Sequence, residues 1–509
     1  MIAKDEIEAP DVLAHEHVTQ SVASGYSWQS LALVAKQLFQ FVLLAVLARL
    51  LTPDDFGLVA LILVITDFLA LFNGERGFAD AIIKRKDLRQ SHLFSVFWLN
   101  ILIGLFIGIG LFVSAPLVAA FLGEPRLVVV ARVLSFNFPI YALRIIPISL
   151  LLRRMSFKVL SIIDLLSFVI GGTVAIALAI TGFGIWSLVF QSLVTMFIAV
   201  FALWMVTDWR PKFVFDRGSI RELWGFSRNM IGFYVLDYWT LRMDNLLIGK
   251  FLGSAALGYY TRAYINALIP YQIAAVSRRI MRSALSKIQD DHEKVRTLYL
   301  ETLSYVVMIA APILLGLIAI AENFVLVIYG PKWLPMVVTM RYLCVVGFFL
   351  TIGSTVDSIF QSQNRTDLLI KWGVLLGFGA FSSFALGIWI GSLEAVSMFY
   401  ALFLALLSYW NFTIPGWLIG LSYKDIIRKI DGYVICALIM AVIVYSLDLL
   451  LINYSVHVRL LLQLLIGIIS YTSLLALVER ERMKHLFFLF NNLVKKYLLA
   501  IQECKCNSL

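Results

Sequence analysis

Charged residues lie inside long apolar stretches of this 509-residue sequence, and these residues are the ones best placed to do chemistry. An ionisable group at membrane depth is costly, so it usually faces a water-filled cavity or pairs with another charge. Buried cations suit an anionic ligand, and buried carboxylates suit a proton or a metal cation. The cations of this kind are Lys36, Arg144, Arg242, Arg262 and Arg341. The carboxylates are Asp67, Asp164, Asp237, Asp244, Asp357 and Asp448.

Helical spacing indicates which of these charges share a face with other polar groups. Asn137, Tyr141 and Arg144 are spaced at i, i+4 and i+7, so one stripe of a helix would carry a cation. Arg262 lies one turn from Asn266. A diphosphate entering hydrocarbon unaided faces a Born cost on the order of tens of kcal/mol, which fixed Arg and Lys side chains can offset. The five cations are therefore substrate-binding candidates.

The carboxylates leave two interpretations open. All of them except Asp448 are candidates for coupling transport to H⁺ or Na⁺. Alternatively, an Asp and an Arg on neighbouring helices pair and hold the bundle together. The structural interpretation is favoured for Asp448, which lies in the thirteenth predicted span. Asp237 and Asp244 are seven residues apart and share a helix face, whereas Arg242 points away from Asp244.

The elements that carry these residues are expected to be membrane-spanning helices. Hydrophobic residues make up 61% of the chain and charged residues 15%, which excludes an ordinary soluble protein. A helix needs about 20 apolar residues to cross a bilayer, and fourteen such stretches are present. Their limits are 28–51, 56–74, 93–113, 127–150, 159–180, 183–206, 224–249, 256–277, 299–321, 334–361, 368–390, 395–421, 431–452 and 457–478. The predicted fold is an all-α polytopic membrane protein with about 14 transmembrane helices.

The distribution of Lys and Arg orients these spans. If the spans alternate, 31 of the 42 basic residues fall on one side of the membrane and five on the other. Basic residues collect in cytoplasmic loops, so both termini are expected in the cytoplasm. The net charge of +10 then reflects topology, and no nucleic-acid partner is expected because no soluble segment could build a basic surface. No cleavable signal peptide is expected, and Met483–Leu499 is predicted to lie on the membrane surface.

A weak internal repeat divides the spans into two sets. Shifting the sequence by 201 residues aligns Leu51 with Leu252 and Gly57 with Gly258, and it places Arg49 over Lys250. This length equals six spans, which predicts two pseudo-symmetric six-helix lobes and a C-terminal pair. The predicted segments are a polar N-terminal segment (1–27), an N-lobe (28–206), a cytoplasmic linker (207–223), a C-lobe (224–421), an extra pair of spans (431–478) and a basic amphipathic tail (479–509).

Several strings resemble the Wzx-type polysaccharide exporters of the multidrug/oligosaccharidyl-lipid/polysaccharide superfamily. The resemblance covers about residues 25–420. One departure is Arg282-Ser283-Ala284, where such proteins often have a proline. The matching strings are Arg49–Gly57, Arg153–Lys158, Gly182–Val189, Asp244–Gly253, Leu257–Tyr264 and Ser286–Asp291.

The resemblance implies a flippase that moves oligosaccharide units linked to a polyprenyl diphosphate across the bacterial cytoplasmic (inner) membrane by alternating access. The implied partners are the lipid-linked oligosaccharide, membrane lipids, and the polysaccharide polymerase and export machinery of the same pathway. No covalent chemistry and no cofactor are implied. The cysteines lack metal-ligand or disulfide spacing and are expected to be free thiols; they are Cys344, Cys436, Cys504 and Cys506.

Two other functions stay open at this stage. A membrane glycan polymerase or glycosyltransferase of the same pathway would usually need a substantial outer loop, but the longest outer links here have only about a dozen residues, with few acids or histidines to act as a base. A multidrug exporter of the same superfamily would be expected to have twelve spans and an apolar cation-accepting cavity. Fourteen spans and several buried arginines favour an anionic substrate instead.

Overall fold

The computed structural model describes residues 35–74 and 77–478, and all regular secondary structure in these ranges is helical. In an apolar solvent a helix satisfies its own backbone hydrogen bonds, which is why apolar segments of this length become helices. A 3₁₀ turn covers Pro331–Trp333. The helices are α1 (35–50), α2 (Pro53–Ala70), α3 (Phe78–Lys84), α4 (Gln90–Leu122), α5 (Leu127–Leu134), α6 (Asn137–Arg153), α7 (Phe157–Ile180), α8 (Ile185–Val206), α9 (Arg217–Leu252), α10 (Ser254–Ala267), α11 (Ile269–Lys287), α12 (His292–Ala319), α13 (Ala321–Ile328), α14 (Met336–Gly353), α15 (Asp357–Ser362), α16 (Thr366–Ile390), α17 (Leu393–Ile419), α18 (Tyr423–Leu450) and α19 (Val456–Val478).

Some expectations fall on other parts of the chain. The N-terminal segment, the start of the first predicted span, the surface helix of the tail, and Cys504 and Cys506 lie outside the described residues. Of the remaining cysteines, Cys344 and Cys436 are buried free thiols.

Ten helical segments in the described ranges are long and apolar enough to cross a membrane. They coincide with the predicted third to sixth and ninth to fourteenth spans, so a multi-pass membrane protein is confirmed. These segments are α4, α5 with α6, α7, α8, α12, α14 with α15, α16, α17, α18 and α19.

The other four predicted spans are also helical but more polar or shorter. Only 16 residues of α1 are described, and α2 carries Asp54, Asp55 and Asp67 within 18 residues. Helix α9 extends over 36 residues and begins at Arg217, seven residues before the predicted seventh span. The count of fourteen spans therefore stays a prediction, and it depends on these four predicted spans, which correspond to α1, α2, α9, and α10 with α11.

The eighth predicted span is two helices, because α10 and α11 are separated at Leu268. Pro270 lies in the first turn of α11, where its missing N–H removes no hydrogen bond within the helix. If α10 and α11 were one continuous helix, Pro270 would remove a backbone hydrogen bond, so the helix breaks before it. The fourth and tenth predicted spans also contain a break, between α5 and α6 and between α14 and α15. Hydropathy alone did not reveal these breaks.

The described residues form two compact units. The first contains residues up to 261 together with 328–332 and 384–393, and the second contains 262–327, 333–383 and the chain from 394 onward. In the first unit α4 packs against α5, α6 and α9, and α7 packs against α8. In the second unit α12 packs against α14 and α18, and α18 packs against α19. The predicted two-lobe arrangement and its boundaries stay predictions.

The segment between α8 and α9, which is most of the predicted linker, is fixed to the first unit. Trp98 Nε1 on α4 donates to the Lys212 carbonyl at 2.9 Å, and its ring stacks on Phe213 with centroids 4.5 Å apart. The Asp216 backbone N–H donates to Ser95 Oγ at 2.8 Å. Asp216 then caps α9, because its carboxylate accepts from the backbone of Gly218 and Ser219. These contacts hold the segment against α4.

The two copies of the predicted repeat meet in the first unit. Helices α2 and α10 begin at Pro53 and Ser254, which are 201 residues apart. A Cβ atom on Gly57 would overlap the carbonyl oxygen of Ser254, and one on Gly258 would overlap that of Pro53. The contact is reciprocal, because Gly57 faces Ser254, Gly258 faces Pro53, and Pro53 and Ser254 are equivalent positions of the repeat. This local two-fold relation supports the repeat that the sequence suggested weakly.

Asp448 has the structural role that was favoured for it. Arg459 donates to Asp448 Oδ1 through Nη2 at 2.6 Å and Nε at 3.0 Å, and Asn323 donates to the same oxygen at 2.6 Å. Asn323 also donates to Gln463 Oε1 at 2.9 Å. The network joins α13, α18 and α19 inside the second unit.

We expect Arg459→Gln to destabilise this unit. The Arg459 and Asp448 side chains are 17% and 25% exposed, so the substitution leaves a largely buried carboxylate with a single donor. The expected loss is about 1–3 kcal/mol, measured as a lower melting temperature of the purified protein. Adding Asp448→Asn should restore part of the loss because the stranded charge is gone. Equal melting of Arg459→Gln and the parent would contradict the assigned role.

Candidate functional site

A cationic cluster in the first unit combines two of the predicted substrate-binding residues. It consists of Lys36 on α1, Tyr141 and Arg144 on α6, and Asp164 and Phe168 on α7. We call this set the cationic cluster. Arg144 Nη2 lies 3.8 Å from Asp164 Oδ1, and Lys36 Nζ lies 5.4 Å from the centroid of the Phe168 ring, one turn further along α7. The cluster has two cations and one carboxylate, so its formal charge is +1.

The ion pair in this cluster is weak. The Asp164 side chain is 52% exposed and the Arg144 side chain 19% exposed, and the gap of 3.8 Å is longer than a charge-assisted hydrogen bond. Exposed pairs contribute at most about 1 kcal/mol. Arg144 Nε is also buried without a hydrogen-bond acceptor among the described residues. Because the pairing through Nη2 is weak, the terminal N–H groups of the guanidinium stay available to an anion, which cannot reach the buried Nε.

The local sequence explains how these side chains come together. Asn137, Tyr141 and Arg144 are all half-buried on α6, as their predicted stripe requires. The Arg144 guanidinium carbon lies 6.0 Å from the centroid of the Tyr141 ring, and Asn137 Nδ2 donates to Ser192 Oγ on α8 at 3.4 Å. The sequence predicted the stripe on α6, but nothing in it paired Arg144 with Asp164.

The three predicted site residues on α9 have different surroundings. Asp244 is buried and accepts a hydrogen bond from the Tyr260 hydroxyl on α10 at 2.9 Å. Asp237 is exposed, so two residues that share a helix face do not share an environment. Arg242 is exposed too, which agrees with its predicted direction away from Asp244. Tyr260 is a positioning residue for Asp244 that sequence reasoning missed.

Asp67 on α2 is exposed and faces α9. Tyr238 of α9 donates to the Val64 carbonyl at 2.7 Å, which fixes the two helices to each other.

The remaining predicted site residues lie in the second unit. Arg262 on α10 accepts a hydrogen bond at its carbonyl from Asn266 Nδ2 at 2.9 Å, within the predicted polar stripe. Arg341 on α14 is half-buried, and its Nε has no acceptor among the described residues. Asp357 lies at the start of α15 and lines a cavity. The structure thus places Lys36 and Arg144 against neighbouring turns of α7, at Phe168 and Asp164, and places the other candidates elsewhere.

A second polar group, the outer cluster, surrounds the contact between Gly57 and Gly258. It consists of Asp54, Glu124, Arg126 and Ser254. Arg126 donates to Asp54 Oδ2 at 2.7 Å and to Glu124 Oε2 at 3.2 Å, and Ser254 Oγ hydrogen-bonds to Asp54. Partial burial raises the pKa of the Asp54 carboxyl, but the hydrogen bonds from Arg126 and Ser254 outweigh this and leave the pKa below its ordinary value. By the predicted topology this cluster faces outward.

A third group lies at the predicted cytoplasmic side. Glu222 pairs with Arg85 and lies 3.2 Å from His92 Nε2. The hydrogen bond with His92 is the main reason why the pKa of Glu222 is lowered. Arg153 donates to the carbonyls of Ile82 and Lys86 at 3.1 and 3.2 Å, near the C-terminal end of α3. In the described part of the chain no group of His, Cys, Asp or Glu could hold a metal ion.

Comparison with protein families identifies the chain. A family model described as "Polysaccharide biosynthesis protein" matches residues 46–338, which is more than half of the sequence. The chain belongs to this polysaccharide biosynthesis family. The match includes the cationic cluster except for Lys36, as well as the whole outer cluster.

Individual relatives of this family member cover nearly its full length. It is 29% identical to the succinoglycan biosynthesis transport protein ExoT of Rhizobium meliloti (strain 1021), over 92% of this chain and 95% of that protein. It is 29% identical to the teichuronic acid biosynthesis protein TuaB of Bacillus subtilis (strain 168), over 90% and 96%. It is 26% identical to the lipopolysaccharide biosynthesis protein WzxC of Escherichia coli (strain K12), over 85% and 88%. The resemblance to Wzx-type exporters is confirmed.

Solved structures show the same fold. The family member aligns with the lipid II flippase MurJ in an inward closed conformation at a TM-score of 0.70 and 16% identity, covering 89% of this chain and 99% of that one. It aligns with an inward-facing multidrug resistance transporter of the MATE family, a member of the MOP superfamily, at a TM-score of 0.60 and 15% identity, covering 76% and 94%. The fold is therefore of the MurJ and MATE type.

Proposed function

We propose that this protein is a flippase that translocates oligosaccharide units linked to a polyprenyl diphosphate across the bacterial cytoplasmic membrane. It would serve the biosynthesis of a surface polysaccharide such as an exopolysaccharide, capsule or lipopolysaccharide. The observation that carries the proposal is the cationic cluster, in which Arg144, whose side chain is 19% exposed, lies 3.8 Å from the half-exposed carboxylate of Asp164. The family membership and the names of the relatives support the same conclusion.

The cluster suits a diphosphate for two physical reasons. Its formal charge of +1 offsets part of the cost of moving an anion away from water. The planar Arg144 guanidinium can also hold phosphate oxygens with two parallel hydrogen bonds, while Lys36 adds a point charge from another helix. A diphosphate that reaches Arg144 displaces only a weak partner, because Asp164 is largely solvated.

The energy source is also part of the proposal. Asp67, Asp164, Asp237, Asp244 and Asp357 are the candidates for coupling transport to an H⁺ or Na⁺ gradient. Asp164 is exposed and lies beside Arg144, which the diphosphate would also contact. Binding of the diphosphate to Arg144 and binding of H⁺ or Na⁺ to Asp164 would therefore be linked. Asp244 is the counter-example, since its contact with Tyr260 suits a structural carboxylate.

Alternating access requires that the outer ends of some helices separate. The helices α2 and α10 contact one another at Gly57 and Gly258, and the outer cluster holds that contact with charged hydrogen bonds. In the proposed cycle this contact closes the outer side while the lipid-linked glycan enters from the cytoplasm. Release outward would part the two glycines.

The test is transport in vesicles made with this protein alone. Polyprenyl diphosphate carrying a labelled oligosaccharide is placed on one side, and a membrane-impermeant glycan-cleaving enzyme reports its arrival on the other. We expect protein-dependent arrival with no change in the mass of the lipid-linked glycan. Longer glycans would indicate a polymerase, and equal arrival in protein-free vesicles would refute the proposal. Imposing H⁺ or Na⁺ gradients in the same vesicles identifies the coupling ion.

A further inference from the structure

A cavity of ≈ 160 Å³ lies inside the second unit, lined by residues of α11, α14, α15, α16 and α17. Four polar residues line it. Ser354 and Asp357 come from the break between α14 and α15, and Ser408 and Asn411 come from α17. The two helices thus contribute one carboxylate, two hydroxyls and an amide to a single small space.

The polar groups of this cavity include both acceptors and donors, because Asn411, Trp372 and Tyr271 bring N–H and O–H groups. Ser354 Oγ donates its hydrogen to the Thr351 carbonyl at 2.7 Å, and Ser408 Oγ donates to the Ala405 carbonyl at 2.6 Å. Each hydroxyl oxygen keeps its lone pairs for another donor. The carboxylate of Asp357 adds acceptor oxygens. The cavity therefore suits a ligand whose groups both donate and accept hydrogen bonds, as hydroxyl groups do.

The apolar walls of the cavity combine aromatic and leucine side chains. Trp372 of α16 is buried, and Tyr271 of α11 carries the Arg278 guanidinium over its ring at 4.3 Å, which restrains the ring. Rigid aromatic faces next to a few placed polar groups are typical of ligand sites. A pyranose ring matches this arrangement, because its C–H face is apolar while the hydroxyls around its rim donate hydrogen bonds.

The volume sets the size of the ligand. An apolar cavity of about 150 Å³ in a protein interior binds benzene, so a cavity of this volume holds one six-membered ring. A longer oligosaccharide could place a single residue in it.

We propose that this cavity binds one sugar ring of the transported glycan and contributes to substrate selectivity. The inference rests on the proposed function, and it assigns to this cavity one polyhydroxylated ring of the glycan, whichever side chains hold the diphosphate.

The test variant fills the cavity with a larger side chain and keeps the other lining residues. Ser408→Leu adds volume where the ring would lie and removes only a hydrogen bond within α17. Vesicles receive two probes, polyprenyl diphosphate carrying one labelled N-acetylhexosamine and bare polyprenyl diphosphate. We expect the ratio of the two translocation rates to fall about tenfold, which corresponds to about 1.4 kcal/mol of discrimination. The matched control is Ser382→Leu, which changes a similar serine on α16 that does not line the cavity, and the ratio should hold.

A second variant keeps the test informative if Ser408→Leu does not fold. Asp357→Asn retains the shape of the side chain but removes the charge, and it should also lower the ratio. If the parent moves glycosylated lipid and the ratio is unchanged in both folded variants, the sugar site is refuted. The proposed flippase function is not affected by that result. Equal slowing of both probes by Asp357→Asn, seen only under an H⁺ or Na⁺ gradient, assigns the cavity to a cation and overturns the proposal too. If the parent moves neither probe, the proposed function fails.

Discussion

Replacing Arg144 with Gln is expected to lower glycan translocation by about 10- to 100-fold while the protein stays folded. A hydrogen bond to a charged group contributes about 1.5–3 kcal/mol, and each 1.4 kcal/mol is a factor of ten in a binding constant. The protein should stay folded because the partner, Asp164, is 52% exposed and can be hydrated when the arginine is removed. Translocation in vesicles and the melting temperature of the same purified variant measure the two effects.

The controls separate binding from structure. Arg144→Lys should restore part of the rate, because it keeps the charge but loses the planar fork that matches phosphate oxygens. Arg459→Gln removes an arginine whose carboxylate partner is mostly buried, so melting should fall first and translocation per folded molecule should be less affected. Normal translocation by a stable Arg144→Gln, Arg262→Gln double variant would remove both residues from the substrate path.

Gly57→Ala is expected to impair both stability and transport. The added Cβ would overlap the carbonyl oxygen of Ser254, and a backbone atom in a helix cannot move aside as a side chain can. Overpacking of this kind costs about 1–3 kcal/mol. The separation of α2 from α10 would also weaken the outer cluster, so the outer side should close poorly. The same purified variant provides a melting temperature and a translocation rate.

Two comparisons make this prediction specific. Gly258→Ala should reproduce the effect because its Cβ would overlap the Pro53 carbonyl oxygen in the same way. Gly110→Ala is the matched control, since Gly110 is a helical glycine of α4 with open space around it. Melting and translocation that match the control at both Gly57 and Gly258 would show that the contact is not needed.

The sequence was sufficient to predict the helical class and most helix positions. Apolar length decides whether a segment is a membrane helix, and that property is local. It failed at breaks such as the one at Leu268, because a single Pro270 changed the local hydrogen bonding while the mean hydropathy stayed high. It also predicted membrane spans at 56–74 and 224–249, but α2 and α9 carry several charges and are not among the ten segments found apolar enough to cross a membrane, so these two spans stay predictions.

The candidate site was predictable only in part. Helical spacing placed Arg144 on a polar stripe with Tyr141, and the structure agrees. Spacing does not tell which helix lies opposite, so the pairing of Arg144 with Asp164 and of Asp244 with Tyr260 could not be foreseen. The cavity beside Asp357 was hidden for the same reason, because its wall comes from helices more than a hundred residues apart in sequence.

The reciprocal contact between Gly57 and Gly258 has the geometry of a symmetric dimer interface, in which the same surface meets itself across a two-fold axis. If the chain arose by duplication of a gene for a six-helix protein, one ancestral glycine filled both places. Any charge near that axis then met its own copy at close range, and like charges repel. Fusion into one chain removed this restriction: position 54 is Asp, while the equivalent position 255 is Ala. The outer cluster could therefore acquire its carboxylate at Asp54 on one side only, where Arg126 and Ser254 bind it.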